Sequence, residues 1–179
     1  MKLAGTMIVI LLNVVCLLTP AQQPARAALQ RILGYEKTHD NSTDMSFNRR
    51  NIEIRRKWIT PSLYRLYLIE LAREERVAKE RPDDKPYFGD GMDFGPLKES
   101  CTVGDKIYPQ KFSLGRSRII SNYAYVRARF FYHPDCNGGD DPTYYTFIFR
   151  KTGKVWLLDN IDYGRNRGTL RRDLRRAGK

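Results

Sequence analysis

The chain has 179 residues, and its content of 41% hydrophobic and 12% aromatic residues is sufficient for one packed domain. This composition excludes an intrinsically disordered protein. Lysine and arginine number 32 against 20 acidic residues, so the formal net charge is +12. A charge of this sign is compatible with an anionic partner, and equally with a positive surface that only keeps the protein soluble.

The first 27 residues have the pattern of a secretory signal peptide. Lys2 supplies a short positive region, residues 7–18 are almost unbroken apolar, and residues 25–27 (Ala-Arg-Ala) match a small-x-small cleavage site. We predict cleavage after Ala27, a mature single domain over residues 28–179, and a periplasmic or secreted location. An uncleaved anchor is disfavoured because a transmembrane helix needs about 20 apolar residues, so no transmembrane segment is expected after cleavage.

The three cysteines indicate one disulfide in an exported chain. Cys16 lies within the signal peptide, and the valines before it do not suit the enzyme that processes lipoproteins. The remaining pair, Cys101 and Cys136, is expected to form a disulfide because the compartment is oxidising, with two buried thiols as the alternative. The cysteines and histidines lack metal-ligand spacing, so the sequence predicts no metal and no cofactor.

Two helical segments are expected before residue 60. Residues 28–38 carry Leu29, Ile32 and Leu33 at helical spacing. Residues 45–59 form a basic segment in which apolar residues share one face. The apolar residues of that face are Phe47, Ile54 and Trp58, and the basic residues predicted to point elsewhere are Arg49, Arg50, Arg55, Arg56 and Lys57.

A third helix is expected over residues 61–80. Thr60 can cap its free amides, and Pro61 fits the first helical turn. The residues predicted to face a sheet are Leu63, Leu66, Tyr67, Ile69, Leu71 and Ala72. The residues predicted to form the opposite, charged face are Arg73, Glu74, Glu75, Arg76 and Lys79.

The second half of the chain is rich in strand patterns. We predict a strand over residues 111–120 with a bend at Gly115, a turn, a strand over residues 123–132, and a β-hairpin over residues 143–163 that turns at Gly153. The residues predicted to point inward are Phe112, Leu114, Ala124, Val126, Ala128, Phe130, Tyr145, Phe147, Phe149, Val155, Leu157 and Ile161. The expected fold class is α+β, with a curved antiparallel sheet of about four strands covered by the N-terminal helices and a short C-terminal helix.

The other face of the strand over residues 123–132 is a candidate ligand-binding surface. Tyr123, Tyr125, Arg127 and Arg129 alternate there, and tyrosines and arginines can hold an anionic or aromatic ligand. The alternative is an exposed sheet face on which arginine side chains cover tyrosine rings.

The C-terminal tail has the most concentrated positive charge. Leu170 and Leu174 are four residues apart, which favours a short helix over residues 169–176 that docks by its leucines. The tail can bind an anionic surface or remain a solvated surface, and without aromatics or a nucleic-acid motif a nucleic-acid partner is disfavoured. Its candidate anion-binding residues are Arg165, Arg167, Arg171, Arg172, Arg175 and Arg176.

Residues 52–174 contain motifs that resemble a known family. The motifs are Lys-Trp-Ile-Thr-Pro-Ser-Leu-Tyr (57–64), Pro-Tyr-Phe-Gly-Asp-Gly (86–91), Val-Trp-Leu-Leu-Asp-Asn-Ile (155–161) and Leu-Arg-Arg-Asp-Leu (170–174). They resemble the bacterial exported domain of unknown function 3828, whose members run from a Trp-Leu-Thr-Pro helix start to a Trp-x-Ile-x-Asp-Ile/Val strand and a leucine-rich helix.

The resemblance implies a cone-shaped α+β fold similar to the ketosteroid-isomerase and cystatin-like superfamily. It also implies an envelope location, although this chain lacks the lipidation site found in some members. The family supplies no catalytic residues. The matched positions Trp58, Thr60, Pro61 and Trp156 are interpreted as scaffold.

Three functional hypotheses follow. The preferred one is a non-enzymatic exported module that binds a protein partner or a small ligand. The second is an isomerase or dehydratase in which Asp159 or Asp93 acts as a proton base, which requires a raised pKa. The third is a cationic envelope protein that binds an anionic surface or an acidic partner through its tail.

Overall fold

The structure, a computed structural model, describes residues 23–39, 47–81, 101–103, 106–108, 111–131, 143–164 and 168–177. Its helices are α1 (Gln23–Thr38), α2 (Arg49–Arg55), a 3-10 turn (Arg56–Trp58), α3 (Pro61–Glu80) and α4 (Leu170–Ala177). Its strands are β1 (Cys101–Val103), β2 (Lys106–Tyr108), β3 (Lys111–Ile120), β4 (Tyr123–Phe131), β5 (Thr143–Thr152) and β6 (Val155–Asp162). Cys136 and the glycine-rich motif at residues 86–91 lie outside the described residues.

Strands β3 to β6 form one antiparallel sheet in chain order, and β1 and β2 form a separate two-stranded pair. The turn between β3 and β4 places Ser121 at a φ of 52°, and the turn between β5 and β6 places Gly153 at a φ of 59°. Glycine takes this left-handed conformation without steric cost. The predicted α+β class, the four-stranded antiparallel sheet and the short C-terminal helix are confirmed.

One face of the sheet forms the core. The predicted inward residues of β4 and the two phenylalanines at 147 and 149 are buried, and α1 lies against strands β3, β4 and β6. Trp156 and Leu66 also pack against this same core. The core residues of α1 are Ala25, Ala28, Leu29, Ile32 and Leu33.

The start of α3 is tied to the sheet edge. Thr60 caps the helix, since the backbone N–H of Leu63 donates to its hydroxyl at 3.3 Å, and Pro61 occupies the first turn. The backbone N–H of Thr60 also donates to the carbonyl of Leu158 in β6 at 2.8 Å. The predicted helix start is therefore confirmed, and the same residue anchors α3 to β6.

The buried residues of α3 differ from those predicted, since Glu70 is buried together with the apolar residues. Leu63, Tyr67 and Leu71 are buried at a spacing of four residues, whereas Ile69 is 49% exposed and Ala72 is exposed. A position two residues beyond Tyr67 lies roughly 200° around the helix, so it points away from the sheet. Glu74, predicted on the charged face, is buried instead at 8% exposure.

A bulge in β6 changes which residues of that strand face inward. Phe147 pairs with Ile161 and Phe149 pairs with Leu158, so β6 has one residue more than β5 between these two pairs. The extra residue reverses the alternation of side chains. The prediction that Val155, Leu157 and Ile161 share the inner face is therefore wrong, because Leu158 and Ile161 are buried and Val155 is 54% exposed.

Helix α1 begins before the residue at which it was predicted to start. Ala25 lies within it and is fully buried, so the predicted cleavage point after Ala27 falls inside the helix. The signal peptide and its cleavage stay predictions. Within the described ranges, no helix is both long and apolar enough to span a lipid bilayer.

Candidate functional site

The face of the sheet opposite the core, here called the outer face, is strongly cationic. Residues that pair across antiparallel strands point to the same face, so the register of β3 to β6 defines its members. On β6 they include Asn160 and Asp162, which pair with Ile148 and Thr146 of β5. All four predicted ligand residues lie on the outer face. Its members on β3 to β5 are Lys111, Ser113, Arg118, Ile120, Tyr123, Tyr125, Arg127, Arg129, Phe131, Tyr144, Thr146, Ile148 and Arg150.

Two arginines of the outer face lie over aromatic rings. The guanidinium carbon of Arg127 is 4.4 Å from the ring centre of Tyr144. That of Arg129 is 4.4 Å from the ring centre of Phe131 and 5.8 Å from that of Tyr144. Arg129 and Tyr144 are direct cross-strand partners, which places the side chains within reach. These aromatic partners were not among the predicted site residues.

The cations of the outer face lack carboxylate partners on their own strands. The sequences of β3, β4 and β5 contain no aspartate or glutamate. Within the part of the chain that the structure describes, no ion pair involves Arg127 or Arg129, and both are exposed. Their N–H groups are therefore available to an anion from outside the described residues.

The fold places the arginines of the cationic tail in different surroundings. Leu170 and Leu174 of α4 are buried, as predicted, and Arg175 and Arg176 are exposed. Arg171, in contrast, donates to the carboxylate of Asp159 at 2.7 Å. Exposed Arg172 forms an ion pair with Asp173. Residues 165–167 lie outside the described part of the chain, so the proposal that the tail arginines form one anion-binding surface stays a prediction.

Asp159, the bulged residue of β6, joins three elements. Its carboxylate accepts from the Thr60 hydroxyl at 2.7 Å and from Arg171 of α4. Burial raises the pKa of Asp159, but the hydrogen bonds from Arg171 and Thr60 and the charge of Arg171 outweigh burial and hold it below 3.8. A general base needs a raised pKa. This geometry therefore makes Asp159 a structural anchor, and the other proposed base, Asp93, lies outside the described residues.

A second buried ion pair joins α1 to α2. Arg55 donates to both carboxylate oxygens of Glu36 at 2.8 and 2.6 Å, and each side chain is 3% exposed. Burial raises the pKa of Glu36, while the hydrogen bonds and charge of Arg55 act in the opposite direction. The prediction that Arg55 belongs to the charged, outward face is wrong, because Arg55 is buried in an ion pair with Glu36 of α1.

A cleft lies where α1 and the 3-10 turn meet the beginning of β6. It has a volume of about 180 Å³. Arg31, Lys57 and Lys154 line it together with Trp58 and Trp156, the two tryptophans of the chain. The ammonium nitrogen of Lys57 lies 4.6 Å from the ring centre of Trp58. From the sequence, both tryptophans are interpreted as scaffold. Lys57 directly precedes Trp58 and Lys154 lies two residues before Trp156, but no local motif connects these two segments to each other or to Arg31.

Metal ligands are not gathered in the described ranges. No group of three or more histidine, cysteine, aspartate and glutamate side chains lies close enough there to hold an ion.

Comparison of the chain with protein-family models, with curated proteins and with solved structures found no match. The resemblance to the domain of unknown function 3828 and to the cone-shaped superfamily therefore stays a prediction.

Proposed function

We propose that this protein is a non-enzymatic binding module that holds an acidic protein partner on the outer face of its sheet. The observation that carries the proposal is the pair Arg127 and Arg129, which are exposed, lie over aromatic rings, and sit on strands without carboxylates. Export to the bacterial envelope is part of the proposal and is supported by the pattern of the first 27 residues.

The chemistry of the outer face suits a protein carboxylate. A guanidinium stacked on a ring keeps its planar edge free for two parallel hydrogen bonds to a carboxylate. The ring also restricts the arginine side chain, so less conformational entropy is lost on binding.

The apolar residues of this face favour a protein over a lipid surface. Tyr144 is 41% exposed, Phe131 36% and Ile120 46%, so apolar and aromatic groups lie among the arginines. Aromatic residues and arginine are enriched where proteins bind one another, and they carry most of the binding energy.

The test measures binding of fluorescent poly-L-glutamate to the wild-type protein and to Arg127→Gln/Arg129→Gln. Each exposed ion pair contributes roughly 0.7 kcal/mol, so the double variant should bind about tenfold more weakly. The control is Arg175→Gln/Arg176→Gln in α4, which removes the same charge from two exposed positions and should change affinity less than threefold.

Two results would overturn the proposal. Equal losses in both double variants would show that net charge alone attracts the polyanion. Binding to phosphatidylglycerol vesicles but not to poly-L-glutamate, lost in the α4 variant only, would instead favour the cationic tail on a membrane surface.

A further inference from the structure

We propose that the cleft between α1, the 3-10 turn and β6 is a binding site for a phosphate monoester of an apolar or aromatic alcohol. This site is separate from the outer face, and different types of residue line it. It combines three cations with the two tryptophans of the chain in one concave space of about 180 Å³.

The charges of the cleft favour an anion of more than one charge. Arg31 comes from α1, Lys57 from the 3-10 turn and Lys154 from the turn before β6, so three elements converge their positive side chains. Among the described residues, no aspartate or glutamate lines the cleft, and no ion pair involves these three cations. Like charges repel one another, and a phosphate dianion would offset that repulsion.

The tryptophans favour an apolar group next to the anion. Trp58 and Trp156 are each only partly buried although they pack against the core, so each retains exposed ring surface. An indole ring binds a planar or apolar group by burial of its face. The position of Lys57 beside Trp58 places a cation directly next to such a surface.

The volume of the cleft limits the size of the bound group. Pockets for drug-sized molecules measure roughly 300–1,000 Å³. The cleft therefore fits a phosphate with one ring or short apolar group, supplied either by a soluble ester or by the headgroup end of a phospholipid.

One residue that lines the cleft, Pro24, lies in the segment predicted to be removed on export. The five residues that give the cleft charge and aromatic surface all lie after Ala27. The proposal concerns the full chain, in which Pro24 and the first turn of α1 are present.

The chain provides its own probe for the test, because both tryptophans line the cleft. We would titrate the full chain with phenyl phosphate and follow the two indole N–H signals by NMR. Saturable shifts of both signals are expected, with a Kd on the order of 1 mM or tighter for a ligand of this size. Benzyl alcohol and inorganic phosphate should each bind at least about tenfold more weakly, since each lacks one half of the recognised group.

Matched variants distinguish binding in the cleft from attraction by the net positive charge of the protein. Arg31→Gln/Lys154→Gln should weaken phenyl phosphate binding at least about tenfold, the loss expected for two exposed ion pairs. Both residues are exposed, so folding should survive, and the circular dichroism spectrum verifies this. The control Arg127→Gln/Arg129→Gln removes the same charge from the outer face and should leave the Kd within about twofold.

Phosphatidic acid vesicles distinguish the two sources of the ester. Binding of both vesicles and phenyl phosphate, each lost in Arg31→Gln/Lys154→Gln, would assign the cleft to a lipid headgroup, and binding of phenyl phosphate alone would assign it to a soluble ester. Binding of neither, equal binding of benzyl alcohol, or equal losses in the two double variants would overturn the proposal. Failure of this site would leave the outer-face proposal intact, because that test uses poly-L-glutamate and other residues.

Discussion

Removal of either member of the Glu36–Arg55 pair should destabilise the protein severely. Both side chains are 3% exposed, and two hydrogen bonds of 2.8 and 2.6 Å join them. A substitution of one residue leaves the other charge buried without its partner, at a cost of about 3–5 kcal/mol. Domains of this size have about 5–15 kcal/mol of total stability, so one substitution should remove about a fifth of it at the least and nearly all of it at the most.

The assay is a double-mutant cycle measured by urea unfolding at neutral pH. The variants are Glu36→Leu, Arg55→Met and the double variant, which replaces the pair by apolar residues. Because the double variant leaves no buried charge, its loss should be at least about 2 kcal/mol smaller than the sum of the single losses. The matched control is Arg56→Met, since the Arg56 side chain is 65% exposed and its ion pair with Glu53 should contribute less than about 1 kcal/mol.

Two outcomes would refute this reasoning. The first is a loss for Arg55→Met no larger than that for Arg56→Met. The second is an additive cycle, which would mean that the two charges do not interact in the folded protein. If the denaturant slope differs among the variants, the midpoint and the slope of each unfolding curve are compared separately. A changed slope reports a changed unfolded or folded state.

Two further predictions concern pH and redox state. The pKa of Asp159 lies below 3.8 in the folded protein, so its stabilising contribution is complete above roughly pH 5 and is lost as the pH falls through the folded pKa. The difference in unfolding free energy between the wild type and Asp159→Asn should therefore shrink between about pH 6 and pH 3, and an undiminished difference at the lower pH would contradict the assignment. Reduction of a disulfide between Cys101 and Cys136 should lower the free energy of unfolding by about 3–4 kcal/mol, and Cys101→Ser/Cys136→Ser should not respond to reductant. Titration of both thiols in the purified mature protein before reduction would disprove the pairing.

Local patterns were sufficient where the interaction lies close in sequence. Thr60 and Pro61 mark the start of α3 because a cap and its amide are three residues apart. The alternation along β4 and the glycine of the β5–β6 turn are likewise properties of a few neighbouring residues. These elements were therefore predicted with nearly correct bounds.

Long-range contacts explain the errors. Arg55 was assigned to the surface because a basic residue on a basic helix usually lies there, and its partner is on another helix. The inner face of β6 was misassigned because the bulge at Asp159 shifts the alternation, and contacts from Thr60 and Arg171 accompany that bulge. Only part of the outer face was predicted. The alternation of side chains along β4 places Arg127 on it, whereas Tyr144, the aromatic residue under Arg127, belongs to β5.

The sequence by itself determined the approximate bounds of most helices, the four strands of the main sheet and an excess of positive charge, because these depend on residue type and on spacing over a few positions. The tertiary structure decided which of the positive side chains are paired with carboxylates and which are exposed. It neutralised Arg55 and Arg171 against carboxylates, left the arginines of β4 exposed over rings, and brought Trp58 and Trp156 together beside three cations. The physical reason is that charge and aromatic surface act through distance, and only the packing of α1, the 3-10 turn and the sheet sets the distances between residues far apart in the chain.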